Sequence, residues 1–113
     1  MDCLFCRIAA GEIPSTKVYE DENLFAFRDI DPKAPTHILL IPKKHIQSVN
    51  QIDDENVKVV SEAYLALKNI AVQEGINETG YRIVVNTLKD GGQTVDHLHF
   101  HLLGGRSLSW PPG

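Results

Sequence analysis

The stretch His97-Leu98-His99-Phe100-His101-Leu102-Leu103 decides how this chain is read. Histidine and apolar residues alternate strictly along it, the period-two pattern of a strand with one buried face. Leu98, Phe100 and Leu102 belong on that reading to a core, and His97, His99 and His101 share the opposite face. A solvated strand face tolerates a single histidine; three in register point to a site. Spacing limits its chemistry. At about 3.3 Å rise per residue, neighbours on one face lie roughly 6.6 Å apart and the outer pair about 13 Å. A metal–nitrogen bond measures only about 2.0–2.1 Å, so one ion does not collect all three imidazoles from a regular strand. Two adjacent ones can share an ion. They can equally bracket a tetrahedral phosphate, one attacking phosphorus while the other holds its oxygens.

Just upstream lies Asn86-Thr87-Leu88-Lys89-Asp90-Gly91-Gly92-Gln93-Thr94. Paired glycines allow backbone N–H groups to converge on an anion, although Gly91-Gly92 alone is more often a plain loop. Beside the histidines it gains meaning, because Gln93 and Thr94 add neutral donors at the same end and Asn86 reaches the same space.

Elsewhere the pattern sets the frame. Leu4 to Ala10, stopped by Gly11, reads as a short helix; Val18 to Glu20 and Leu24 to Arg28 read as strands around the turn Asp21-Glu22-Asn23. Asp29 to Pro35 is a loop, and His37 to Ile41, closed by Pro42, is a buried strand. A long helix is expected from Asp53 or Asp54 to about Glu74, with Gly75 as its stop. Its apolar positions form two stripes, Val57-Val60-Tyr64-Leu67-Ala71 and Val59-Ala63-Ala66-Ile70, enough to cover a sheet and meet something more, either a second subunit or the chain's own loops. Tyr81 to Asn86 and His97 to Leu103 complete the strands. Strands gathered around one long helix predict an α+β fold, an antiparallel sheet of about five strands, in a single domain spanning 1–113.

Composition narrows the function classes. The chain has 113 residues, a net charge of −4, five histidines and two cysteines. That balance argues against a nucleic-acid partner, which calls for a basic face, and leaves a single nucleotide open. No run is apolar enough to span a membrane, and no secretory leader is read at Met1-Asp2-Cys3-Leu4-Phe5-Cys6, so a reducing cytoplasm is expected. Cys3-Leu4-Phe5-Cys6 lacks the preceding strand of a redox motif and suits half of a zinc site.

Gly-Gly-Gln-Thr-x-x-His-Leu-His-Phe-His-Leu-Leu resembles the motif of the histidine triad (HIT) superfamily. Ile13-Pro14, Tyr19-Glu20-Asp21, Phe27-Arg28-Asp29-Ile30, Ala34-Pro35-Thr36-His37, Ile41-Pro42-Lys43-Lys44-His45 and the ending Gly104-Gly105-Arg106…Trp110-Pro111-Pro112-Gly113 extend the resemblance to its histidine triad nucleotide-binding protein (Hint) branch. The resemblance implies a homodimer that hydrolyses purine nucleoside phosphoramidates. It makes His99 the nucleophile, His101 the donor to phosphoryl oxygen, His37 a support of that network and Thr94 the hydroxyl beside the leaving amine, where most relatives carry serine. It gives Asp29 to the ribose hydroxyls and Leu4, Phe5, Ile8, Ile13, Phe27, Ile30 and Leu39 to the base. Asn86, Gly92, Gln93 and Thr94 join His99 and His101 around the nucleotide, and Trp110 leans into the partner's site. Bacterial members with an N-terminal Cys-x-x-Cys imply a structural zinc on Cys3, Cys6, His45 and His97, although relatives lacking the cysteines keep both histidines. Left open are a nucleotide-binding scaffold with residual activity and, within the superfamily, a nucleoside polyphosphate hydrolase or nucleotidyl transferase.

Overall fold

The computed structural model describes residues 2–113. A five-stranded antiparallel sheet carries the site, built from β1 (Lys17–Glu20), β2 (Leu24–Arg28), β3 (Thr36–Pro42), β4 (Tyr81–Val84) and β5 (Phe100–Gly104), in the order β1-β2-β3-β5-β4. The dense Ile-Leu run makes β3 the central strand, buried at every position and paired on both sides.

Alternation divides the sheet into two layers. Leu24, Ala26, Ile38, Leu40, Phe100 and Leu102 face α2 (Lys58–Gln73), packing on its Ala63, Ala66, Leu67, Ile70 and Ala71. Phe25, Phe27, Leu39 and Ile41 face the other way, onto Cys3, Phe5 and Ile8 from α1 (Leu4–Ala9) and its cap. Phe100 and Leu102 are buried, and two such side chains contribute about 3–6 kcal/mol by area. That energy fixes the register on which function depends. A one-residue slip of β5 would turn His101 into the helix layer and Leu102 out of it.

Three element boundaries lie two or more residues from the sequence reading, two of them for a visible local reason. The last strand begins at Phe100, not His97. Beyond the Leu40–Phe100 pair, the Pro42 carbonyl bonds to the His97 ring (2.8 Å) and Leu98 N–H to Ile46 O (2.6 Å), so residues 97–99 leave the ladder. The long helix starts at Lys58 because Asp53 Oδ1 caps a looser preceding turn, accepting from Glu55 N–H (2.9 Å) and Asn56 N–H (3.0 Å). Its end matches the expectation: Gly75 (φ +72°) follows the cap, and Ile76 N–H returns to Ala71 O (3.0 Å) while Gly75 N–H returns to Val72 O (3.1 Å). The strand expected to reach Asn86 ends at Val84. Along α2 and its cap residue, Val57, Tyr64, Leu65 and Val72 form an exposed apolar stripe beside the sheet-facing one. Among the described residues no helix is long and apolar enough to cross a membrane.

Candidate active site and metal centre

Strand β5 presents His101 opposite Leu39 of β3, and the neighbouring Ile38–Leu102 and His37–Leu103 pairs bring His37 alongside. His37 Nε2 lies 2.9 Å from His101 Nδ1 and 3.4 Å from Asp29 Oδ2. The direction of the proton follows from the backbone. Lys33 N–H donates to His37 Nδ1 (3.0 Å), so neutral His37 carries its proton on Nε2 and donates it to His101 Nδ1. His101 is thereby left with its proton on Nε2. The same logic decides a chemical ambiguity. Asp29, His37 and His101 stand close enough to resemble a metal cage, but a metal on His37 Nε2 would require breaking the Lys33 bond or stripping the ring of both protons. Lys33 N–H, His37 and His101 form a hydrogen-bond relay, with the Asp29 carboxylate beside it.

His99, 4% exposed, precedes the strand. Its Nδ1–H donates to the carbonyl of His97 at 2.7 Å, which leaves the Nε2 lone pair free. Its ring stands 5.0 Å from His101 and 5.1 Å from Phe5, both edge-on. Burial holds His99 below the ordinary imidazole range against the opposing pull of its bond to His97 and of Asp29. Burial lowers His37 too, with Asp29 opposing. His101 is pushed down to about 4, by burial first and then by its neighbours His99 and His37. Neutral imidazoles at His99 and His101 are therefore the resting forms at pH 7.

His97 looks the other way. Its Nδ1 lies 3.3 Å from Cys3 Sγ, 3.5 Å from Cys6 Sγ and 3.2 Å from His45 Nδ1, and Cys6 Sγ lies 3.4 Å from His45 Nδ1. Bonds of about 2.0–2.3 Å to a tetrahedral ion put mixed N and S ligands roughly 3.3–3.8 Å apart. Four of the six donor separations, at 3.2–3.5 Å, lie at the lower end of that range, and all six are within 4.8 Å. Pro42 O accepts His97 Nε2–H, which leaves the Nδ1 lone pair available to an ion, as an outer carbonyl does in metal sites. Burial and the adjacent Cys3 raise the Cys6 thiol to about 11, so ion binding there is coupled to proton release.

Other residues named from sequence divide into groups. Phe5, Ile8, Phe27 and Leu39 are brought together with Ile13 packed against them, whereas Ile30 is fully exposed and Leu4 about half so, outside that cluster. Asp29 sits at the exit of β2, its Oδ1 accepting from Asp31 N–H (2.8 Å). The expected anion cradle at Gly91-Gly92 is instead a turn. Residues Leu88–Gly91 form a helical turn (α3), and Gly92 N–H and Gln93 N–H bond back to Lys89 O and Leu88 O. The Gln93 side chain is engaged as well, accepting from Leu88 N–H and donating to Gln47 O and Val95 O, so it braces the loop. Asn86 is half-buried beside Gly91, and Thr94 is exposed in a cleft it shares with Cys3, Leu4 and His45. Trp110 is 80% exposed, with Arg82 over its ring. Sequence reasoning missed two participants, the Pro42 carbonyl and the Lys33 amide. Both act through the backbone, and no side-chain pattern announces them.

Comparison with known proteins agrees with this geometry. The HIT domain model matches residues 10–108. The chain is 49% identical to the purine nucleoside phosphoramidase of Escherichia coli, covering 95% of this chain and 90% of that one. It is 47% identical to a 14 kDa zinc-binding protein of Zea mays, over 97% of this chain and 87% of the other. The crystal structure of a HIT family hydrolase from Legionella pneumophila superposes with a TM-score of 0.97 at 54% identity, covering 99% of this chain and 100% of that chain.

Proposed function

The chain belongs to the HIT domain family, and from that premise we propose that it is a purine nucleoside phosphoramidase. The observation that carries this reading is the orientation of His99: Nδ1–H anchored on a carbonyl, Nε2 free, and the relayed donor His101 beside it. His99 Nε2 attacks the α-phosphorus, forming an N–P bond as the P–N bond to the amine breaks. The His101 Nε2–H stabilises charge on a non-bridging oxygen. The departing amine takes up a proton passed from water through the Thr94 hydroxyl, and the water that attacks in the second step gives one back. Water then attacks the nucleotidyl-imidazole, releasing nucleoside monophosphate and restoring His99. Asp29 accepts from the ribose hydroxyls, and the Phe5-Ile8-Phe27-Leu39 group with the exposed Ile30 holds the base. Asn86, Gly92 and Gln93 contribute by shaping the loop that carries Thr94. The relative from Escherichia coli bears the name of this activity, which supports the reading.

Rapid quenching with a purine nucleoside phosphoramidate tests it. Mass analysis is expected to find a nucleoside monophosphate increment on the peptide carrying His99. Nucleotide binding without such an adduct or turnover would favour a scaffold instead.

Cys3, Cys6, His45 and His97 would hold a structural zinc ion, which closes the N-terminal helix onto the sheet; the donor spacing and the zinc-binding relatives support this. Metal analysis of protein purified without added zinc is expected to find close to one equivalent, and less than about a tenth would overturn it. The exposed stripe Val57-Tyr64-Leu65-Val72, with Tyr81 on the edge strand β4, supports a homodimer in which Trp110 reaches the partner's site. Sedimentation is expected to give twice the chain mass, and Tyr64→Lys to reduce it.

A further inference from the structure

The metal cluster and the nucleophile share a residue. The side chain of His97 turns Nδ1 toward Cys3, Cys6 and His45, while its own carbonyl is the acceptor that fixes His99 at 2.7 Å. Two further links run in parallel. Cys3 Sγ accepts Cys6 N–H (3.4 Å) at the start of α1, whose Phe5 lies edge-on to both rings, 6.0 Å from His97 and 5.1 Å from His99. Leu98 N–H bonds to Ile46 O (2.6 Å), tying the segment between the two histidines to the residue after His45.

The four donor atoms are held together weakly on their own. Thiols are poor hydrogen-bond donors, and the Nδ1 atoms of His45 and His97 face each other at 3.2 Å. Since Pro42 O takes the Nε2 proton of His97, these two Nδ1 atoms have no proton from His97 to share. A proton on His45 Nδ1 can bridge that one pair and thiols add only weak bonds, so a cation that engages all four donors holds the cluster far more firmly.

We propose that the Cys3-Cys6-His45-His97 cluster positions the nucleophile: ligation of a divalent metal ion fixes the peptide plane of His97, and so the carbonyl that holds His99 with Nε2 toward the substrate. His97 is on this account a positioning residue acting through its main chain. The kinetic consequence rests on the phosphoramidase reading; the structural one does not.

The test compares zinc-loaded wild type, chelator-stripped wild type, Cys3→Ser/Cys6→Ser and His45→Ala, with circular dichroism to confirm folding. The first readout needs no substrate: proton NMR of the His99 Nδ1–H, assigned by its disappearance in His99→Gln. In loaded protein this resonance is expected to exchange slowly with water, and at least about tenfold faster after stripping and in both variants, because local opening of the segment becomes easier. The second readout is kcat against KM: kcat falls at least about tenfold while KM stays within about twofold. Zinc restores stripped wild type and leaves the double variant unchanged. Equal exchange and equal kcat in folded loaded and stripped protein would overturn the proposal. If the stripped protein unfolds, His45→Ala, which keeps three ligands, carries the comparison, and unchanged exchange there overturns it. A loaded wild type that exchanges slowly but never turns over substrate would defeat the phosphoramidase reading and leave this one standing.

Discussion

Replacing His37 by alanine tests the relay, because its consequences for stability and for rate separate. His37 is 6% exposed and makes two hydrogen bonds, from Lys33 N–H (3.0 Å) and to His101 Nδ1 (2.9 Å). At about 1 kcal/mol net for each, and more where a partner stays buried and unpaired, His37→Ala costs about 2–4 kcal/mol of folding stability. The rate effect has another origin. His101 keeps its ring but loses the donor that dictates its tautomer, so the fraction presenting Nε2–H correctly toward phosphoryl oxygen falls. Deleting an oxyanion donor outright costs about 10²–10³ in kcat; misorienting one costs less, about 10–100-fold, or roughly 1.4–2.7 kcal/mol. The assay is a double-mutant cycle with His101→Ala, measured as kcat on folded protein with a purine nucleoside phosphoramidate. Because His37 acts through His101, the double variant is expected to be no slower than His101→Ala alone. Losses that multiply would refute the relay, as would a His37→Ala kcat within about threefold of wild type.

Other expectations follow from the same geometry. His101 near 4, with His37 and His99 also below the ordinary value of 6.5, keeps the site neutral well into the acid range. A pH profile of kcat should keep its plateau through the ordinary imidazole midpoint of 6.5 and fall only at lower pH; half-loss at pH 6.5 or above would contradict it. These lowered imidazoles contribute stability that is complete above pH 6.5 and fades as pH falls toward their folded values. A methyl group added at Gly104 would meet Ile76 Cδ1 at 2.7 Å, so Gly104→Ala should cost about 1–3 kcal/mol in urea unfolding with kcat per folded molecule unchanged. Arg28 forms a two-pronged pair with Glu74 (2.8 and 2.9 Å) from a 43% exposed side chain, and Arg28→Ala should cost about 0.5–1 kcal/mol, less in high salt.

Much of the fold was legible because periodicity reports burial directly. The alternation at 98–102 placed Phe100 and Leu102 in the helix layer and His99 and His101 opposite, and the Ile-Leu run before Pro42 identified the central strand. Boundaries were less legible where a side chain replaced a backbone partner. His97 takes the Pro42 carbonyl and shortens the last strand; Asp53 caps a turn and delays the helix. Gly91, Gly92 and Gln93 illustrate a deeper ambiguity, since a loop that cradles an anion and a turn that satisfies itself ask for the same residues. Asp29, His37 and His101 could be named one by one, but the direction of the proton among them depends on the Lys33 amide, which only the folded backbone brings to His37. The convergence of Cys3 and Cys6 with His45 and His97 was likewise suggested by resemblance, and the 3.2–3.5 Å separations among their donor atoms come from the fold.

The central claim is that His99 is the nucleophile of a phosphoramidase. It is tested most directly by steady-state turnover of an adenosine phosphoramidate by wild type and by His99→Ala, with nucleoside monophosphate release as the readout. The account predicts a loss of at least about 10³-fold in kcat, since the covalent route disappears with its nucleophile. Equal rates in the two proteins, or no turnover by the wild type, would contradict it.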